Sequence, residues 1–106
     1  MNKEINATEA VILHNKNKEV VFLDVREHSE WAICRIEGAL HIPISEVPER
    51  HEALPRDAPL IVLCHHGMRS LNVVQYLETK GFDNAINLAG GIHAWAVDVD
   101  PEMRQY

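Results

Sequence analysis

The sequence has few of the features that mark specialised classes of protein. It contains only two cysteines, Cys34 and Cys64, and no apolar run long enough to span a bilayer. Its first residues are polar, without the apolar stretch of a secretory leader, so a cytoplasmic location without membrane association is expected. Thiols stay reduced in that compartment, and we therefore predict two free cysteines rather than a disulfide.

Basic residues are also scarce. Ten Lys and Arg residues stand against 16 Asp and Glu residues, a net charge of −6 with neutral histidines. Nucleic acids bind basic surfaces, so a nucleic-acid partner is not expected. The 106 residues suffice for one modest core. We expect a single domain over residues 1–106, with a motif-bearing core from about residue 6 to 95 and a short tail over 96–106.

Short apolar runs alternate with helical patterns along the chain. The predicted strands cover residues 20–23, 39–42, 60–63 and 85–88. The predicted helices cover residues 6–14, 28–33, 45–54 and 70–80, with a last helix after Gly90-Gly91. Fully apolar strands separated by helices indicate an α/β fold, with a parallel central sheet covered by helices on both faces. The ligand crevice of such a sheet lies at the carboxyl ends of the strands.

The most informative segment follows the strand at residues 60–63. Cys64 ends that strand, and a short loop carrying Arg69 leads into the helical pattern that begins at Ser70. Unpaired backbone N–H groups and the helix dipole meet a thiol at this place, and both favour the thiolate. Arg69 adds a positive charge and a planar fork of donors for an anion. The pattern indicates a reactive-cysteine enzyme that handles small oxyanions.

The two cysteines have different interpretations. The plain alternative for Cys64 is a buried core residue, but its position before a glycine-bearing loop favours a reactive role. Cys34 lies on the return path towards the opposite edge of the predicted sheet, so packing is favoured over a role as resolving thiol. Asp24 and Arg26 are interpreted as a structural ion pair beside the crevice, with Arg26 adding to the local positive field.

The histidines and tryptophans receive structural interpretations. His65 and His66 are adjacent and therefore rarely reach one ion together, and no CxxC or HxxxH spacing accompanies them. No metal site is expected; the two imidazoles should instead add positive charge below about pH 6.5. Trp31 and Trp95 are predicted to anchor the core.

Four blocks of this sequence resemble the single-domain rhodaneses, a family of sulfurtransferases. They cover residues 23–27, 30–43, 64–70 and 88–95, in the family order, and the likeness extends from about Asn6 to Trp95. One departure is Cys34-Arg35-Ile36, where the family often has Gly-His-Ile. Because it lies away from the predicted crevice, this departure is expected to affect local packing more than catalysis.

The resemblance implies a mechanism. Cys64 would take the outer sulfur of a donor such as thiosulfate, release sulfite, and pass the sulfur of the resulting persulfide to a thiol or cyanide. The persulfide is the covalent intermediate, so no separate cofactor is expected. Gly67 would let the loop curl, Arg69 would bind the sulfonate group, and the Ser70 hydroxyl would bond to the loop or the sulfur. The implied substrate-binding residues are His65, His66, Gly67, Met68, Arg69 and Ser70.

The likeness has two alternatives, of which the first is disfavoured. The related cell-cycle phosphatases have one more residue between cysteine and arginine, about 3.5 Å of extra chain, so the Cys64-x4-Arg69 spacing disfavours phosphate chemistry. The second alternative is a non-catalytic or partner-fed persulfide carrier, with a sulfur-relay protein as its partner.

Overall fold

Five parallel strands form one sheet in the computed structural model, which describes residues 3–106. The strands are β1 (Glu4–Ile5), β2 (Val21–Asp24), β3 (Leu40–His41), β4 (Leu60–Leu63) and β5 (Ala85–Leu88), in the spatial order β1-β5-β4-β2-β3. The α-helices are α1 (Ala7–Lys16), α2 (His28–Ile33), α3 (Val47–Arg50), α4 (Met68–Thr79) and α5 (Gly91–Asp98). The predicted α/β fold with a parallel sheet is confirmed.

Both faces of the sheet are covered, as the central strand β4 shows. Successive side chains of a strand point to opposite faces. Leu60 and Val62 belong to a core cluster with buried residues of α4, whereas Ile61 and Leu63 belong to a second cluster with buried residues of α1 and α5. This double burial explains why all four residues of the strand are apolar.

The predicted secondary structure needs two corrections. No strand was predicted for residues 4–5, but they form the edge strand β1, which pairs with β5. A two-residue strand is too short to produce a pattern in the sequence. The predicted helix over residues 45–54 consists of the four-residue α3 between two 3₁₀ turns, and Ser45, where that helix was expected to begin, lies inside the first turn. Proline is tolerated in the first turn of a helix, and Pro48 lies in the first turn of α3, so the α-helical part begins after Ser45.

The two tryptophans differ in burial. Trp95 is buried and packs edge-on against Phe22, with ring centroids 5.4 Å apart, as expected for a core anchor. Trp31 is only half-buried: its ring stacks on His41 at 4.5 Å, and Arg35 lies 4.8 Å from the ring centroid. The core role predicted for Trp31 is therefore wrong, because α2 presents this ring to the outer strand β3 and to the surface. Within residues 3–106, no helix has the length and apolar character that crossing a bilayer requires.

Candidate active site around Cys64

Cys64 follows β4 directly and is almost completely buried beneath its loop. Its Sγ accepts hydrogen bonds from the backbone N–H of Gly67 at 3.1 Å and of Ser70 at 3.4 Å. Gly67 has φ +114°, which turns the chain back over the sulfur and begins α4. The first N–H groups of a helix have no partner within the helix, and here they point at a thiol.

The same contacts change the ionisation of the thiol. Burial raises the pKa of Cys64, but hydrogen bonds from the Ser70 hydroxyl and from the backbone N–H groups of Ser70, Gly67 and His66 outweigh it, so the pKa is lowered. A lowered pKa increases the thiolate fraction at neutral pH, as nucleophilic chemistry requires.

The first turn of α5 holds the other side of the loop. The N–H groups of Ile92 and His93 donate to the carbonyls of Cys64 and His65, at 2.8 and 3.1 Å. A Cβ on Gly91 would lie 2.5 Å from the Cys64 carbonyl oxygen and 2.4 Å from that of His65. Only glycine allows this approach. Gly91 therefore does more than begin α5: it lets the helix come close enough to bind the loop carbonyls.

Asn87 is a buried polar residue of the site that sequence reasoning missed. Its Oδ1 accepts a hydrogen bond from the Ser70 hydroxyl at 2.6 Å, and its Nδ2 donates to the Gly67 carbonyl and to a Glu4 carboxylate oxygen. It therefore fixes both ends of the turn above Cys64 and ties them to the edge strand. The signal in the sequence was a single asparagine inside an otherwise apolar strand.

Arg69 is paired with Glu30 of α2. Its guanidinium donates to both carboxylate oxygens, Nη1 to Oε1 at 2.7 Å and Nη2 to Oε2 at 2.9 Å. The Tyr106 hydroxyl donates to the same carboxylate at 2.7 Å. The hydrogen bonds from Arg69 are the main reason that the pKa of Glu30 falls to about 2, although burial opposes them. Arg69 is therefore in the loop as expected, but its guanidinium fork is occupied by the Glu30 carboxylate, which the sequence did not predict.

Asp24 and Arg26 form the structural ion pair that the sequence predicted. Both side chains are fully buried, with Nη2 of Arg26 2.7 Å from Oδ2 of Asp24. Arg26 also donates to the Cys34 carbonyl at 2.6 Å and to the Tyr106 hydroxyl at 2.9 Å. The pair joins the end of β2 to the segment after α2 and to residue 106.

Cys34 lies nearer to the Cys64 loop than the topology suggested, because it shares a cavity with His65 of that loop. Cys34 is half-buried, with its Sγ 3.8 Å from Nη1 of Arg26. It lines a narrow cavity together with His65 and Tyr106. The expectation that Cys34 lies away from the crevice was wrong, because the chain after α2 passes beside Arg26 before it reaches β3. Both cysteines are free, as predicted.

The histidines form the rim of the site. The ring of His65 stacks on Tyr106 with centroids 3.9 Å apart, and His66 and His93 lie nearby. Burial, followed by the neighbouring His66, lowers the pKa of His65, so this imidazole is neutral at neutral pH. Among residues 3–106, no three His, Cys, Asp or Glu side chains are arranged to hold a metal ion. Met68 is 71% exposed at the start of α4.

These features define a class of protein. An activated cysteine lies at the carboxyl end of the central strand of a parallel sheet, inside a loop of backbone donors, and this arrangement suits a nucleophile that carries a negatively charged group. Comparison with known proteins then gives the family. The sequence pattern of the rhodanese-like domain matches residues 7–98, and the chain belongs to the rhodanese-like family.

The relatives cover nearly the whole chain. The provisionally named sulfurtransferase YtwF of Bacillus subtilis is 36% identical over 100 residues, which are 94% of this chain and 96% of that protein. The thiosulfate sulfurtransferase GlpE of Coxiella burnetii is 34% identical over 95 residues, 90% of this chain and 88% of that protein. A rhodanese-related protein from Thermoplasma volcanium superposes with a TM-score of 0.81 at 36% identity, covering 92% and 93% of the two chains. The likeness supports sulfur transfer as the general class of activity, without indicating donor or acceptor.

Proposed function

We propose that this protein is a sulfurtransferase that moves a sulfane sulfur from thiosulfate or a similar donor to a thiol or cyanide through a persulfide on Cys64. The observation that carries the proposal is the convergence of the Gly67 and Ser70 N–H groups on the Cys64 sulfur. These donors stabilise negative charge on Sγ of Cys64, which is the attacking thiolate in the first transfer step and the leaving thiolate in the second.

The transfer needs two displacements at sulfur. The Cys64 thiolate attacks the outer sulfur of thiosulfate, a new S–S bond forms, and sulfite leaves with the electron pair of the broken bond. An acceptor thiolate or cyanide then attacks the outer sulfur of the persulfide, and the Cys64 thiolate is released. No metal or cofactor takes part in this scheme, and a compartment that keeps Cys64 reduced suits it.

A partner-fed carrier is the second candidate. It is favoured by the open rim of the site, where Met68 is 71% exposed and His66 is exposed next to it. A protein that delivers a persulfide could approach this rim, and a sulfur-relay protein would then replace thiosulfate as donor. The chemistry at Cys64 would be unchanged.

Intact-protein mass spectrometry after brief incubation with thiosulfate tests the proposal. We expect wild type and Cys34→Ser to gain one sulfur atom, cyanide to remove it, and Cys64→Ser to gain none. An adduct that persists in Cys64→Ser would contradict the mechanism. A folded wild type that gains no sulfur from thiosulfate but gains it from a persulfide donor would favour the carrier.

A further inference from the structure

The ion pair between Glu30 and Arg69 bears directly on the choice of sulfur donor. Arg69 is the arginine of the Cys64 loop, and a dianion such as thiosulfate would need its guanidinium fork to be free. That fork is bound to Glu30 through two hydrogen bonds of 2.7 and 2.9 Å. The Glu30 side chain is only 15% exposed and that of Arg69 35%, so the pair is shielded from water more than an ordinary surface pair.

Glu30 is held in place from several sides. Besides Arg69, the backbone N–H of Glu27 donates to Oε1 at 3.0 Å, and the Tyr106 hydroxyl donates to Oε2 at 2.7 Å. Tyr106 is itself fixed, because its hydroxyl accepts from Arg26 and its ring stacks on His65. An anion that takes Arg69 from Glu30 must therefore displace a carboxylate that has little freedom to move away.

The charges around the loop cancel. Glu30 neutralises Arg69, Asp24 neutralises Arg26, and His65 is uncharged at neutral pH. A dianion approaching the Cys64 thiolate consequently meets no uncompensated cation from these residues. A donor of low net charge does not need one.

We propose that Glu30 determines donor specificity: by occupying Arg69 it weakens the binding of dianionic donors and favours persulfides of low net charge. This inference rests on the proposed sulfur transfer at Cys64 and names the substrate class of that site. With such a donor the Cys64 thiolate bonds to the outer sulfur, the S–S bond of the donor breaks, and its electron pair leaves with the donor thiolate. Glu30 acts through Arg69 and takes no part in these bond changes.

The test compares two donors in wild type and Glu30→Gln. The probes are thiosulfate, a dianion, and cysteamine persulfide, whose ammonium group offsets the negative sulfur. Gln keeps the shape of the side chain and an oxygen that can accept from Glu27, but it releases the charge on Arg69. We expect KM for thiosulfate to fall about three- to tenfold with kcat little changed, and KM for cysteamine persulfide to change less than twofold.

A matched control removes a neighbouring charge that does not touch Arg69. Glu27 lies three residues before Glu30, and its side chain is exposed. The Glu27→Gln variant should therefore leave both KM values within about twofold of those of wild type. Tyr106→Phe, which removes one of the hydrogen bonds that fix Glu30, should shift the donor preference in the same direction by a smaller factor.

The outcomes separate this inference from the proposed function. If Glu30→Gln leaves the thiosulfate KM unchanged, or weakens the use of both donors equally, Glu30 is only structural and the specificity role is overturned. If wild type takes sulfur from neither donor, the proposed transfer itself fails. Thermal unfolding of each variant shows whether it is folded. If Glu30→Gln is unfolded, the donor preference of Tyr106→Phe decides whether Glu30 determines specificity.

Discussion

At the scale of single residues, the reactivity of Cys64 depends on a small number of donors. The N–H of Gly67 is the nearest, at 3.1 Å, and the Ser70 hydroxyl lies 3.4 Å from the sulfur but only 2.6 Å from Oδ1 of Asn87. A hydroxyl has one proton, so it donates either to Asn87 or to the thiolate. The backbone donors are always available, whereas the Ser70 proton can turn to the sulfur when negative charge develops there.

Replacing Ser70 by Ala tests this division. The variant loses the hydroxyl but keeps the backbone N–H, so we expect the pKa of Cys64 to rise and its alkylation rate at pH 7 to fall about three- to tenfold. The pH dependence of the reaction with iodoacetamide measures both quantities. Ser45→Ala, on an exposed residue, is the control. An alkylation profile identical to that of wild type would show that the N–H groups suffice.

The identity of the residues in the loop was predictable, but their partners were not. Cys64, Gly67 and the Asp24–Arg26 pair follow from the residue types at strand ends, which a parallel sheet brings to one edge. The Glu30–Arg69 pair joins residues 39 positions apart in sequence, and their meeting depends on where α2 lies relative to the start of α4. A sequence pattern holds no information about such a distance.

At the scale of elements, two helix N-termini meet at the loop. α4 supplies the donors to the sulfur, and α5 supplies the donors to the carbonyls of Cys64 and His65. α1, α2, α4, α5 and four of the five strands were predicted, because short apolar runs alternate with helical patterns along the sequence. The approach of α5 to the loop was not predicted. It depends on the absence of a Cβ at Gly91, and the backbone carbonyls that a Cβ would meet are known only from the three-dimensional structure.

We therefore expect Gly91→Ala to lower the reactivity of Cys64, and Gly38→Ala to leave it unchanged. Both glycines have positive φ, +61° and +84°, so both variants carry backbone strain of about 1 kcal/mol. At Gly91 the new Cβ would also meet two backbone carbonyl oxygens at 2.4–2.5 Å, whereas at Gly38 nothing lies within 4 Å. We expect Gly91→Ala to lose about 3 kcal/mol of unfolding free energy and most thiol reactivity.

Urea unfolding and the iodoacetamide rate at pH 7 measure the two effects. Equal losses of stability in Gly91→Ala and Gly38→Ala would show that α5 can move away from the loop at little cost, and that its contact with the loop carbonyls does not determine the geometry at Cys64.

The pair that joins α2 to α4 should make stability depend on acid. The pKa of Glu30 is about 2 in the folded protein, against an ordinary value of 4.5. A depressed pKa stabilises the fold above pH 4.5, and this contribution is lost as the pH falls from 4.5 towards 2. Because the pair is partly exposed, we expect Glu30→Gln to lose about 1–2 kcal/mol at pH 7, and this difference from wild type to shrink below pH 4.5.

Urea unfolding of both proteins between pH 7 and pH 3 provides the measurement. Glu27→Gln, whose side chain is exposed, serves as the control and should show no such convergence. A difference between wild type and Glu30→Gln that stays constant over this range would mean that the Glu30 carboxylate is not stabilised by the fold.

At the scale of the whole molecule, Arg26 connects parts that are distant in the chain. Its guanidinium is fully buried. It binds Asp24 at the end of β2 and donates to the Cys34 carbonyl and to the Tyr106 hydroxyl. A fully buried charge is tolerated only when it is paired and hydrogen-bonded. Arg26 therefore connects the end of β2, the segment after α2 and residue 106.

Arg26→Ala should be far more destabilising than the loss of a surface arginine. It leaves the Asp24 carboxylate buried without its partner, which costs about 3–5 kcal/mol. Arg50→Ala is the contrast, because Arg50 pairs with Glu46 at 3.0 Å while both side chains are largely exposed, and such pairs contribute about 0.5 kcal/mol. Urea unfolding gives both values. The double variant Asp24→Ala/Arg26→Ala removes the orphaned charge and should recover part of the loss, and if it recovers none, the cost comes from the packing around Arg26 rather than from the unpaired carboxylate.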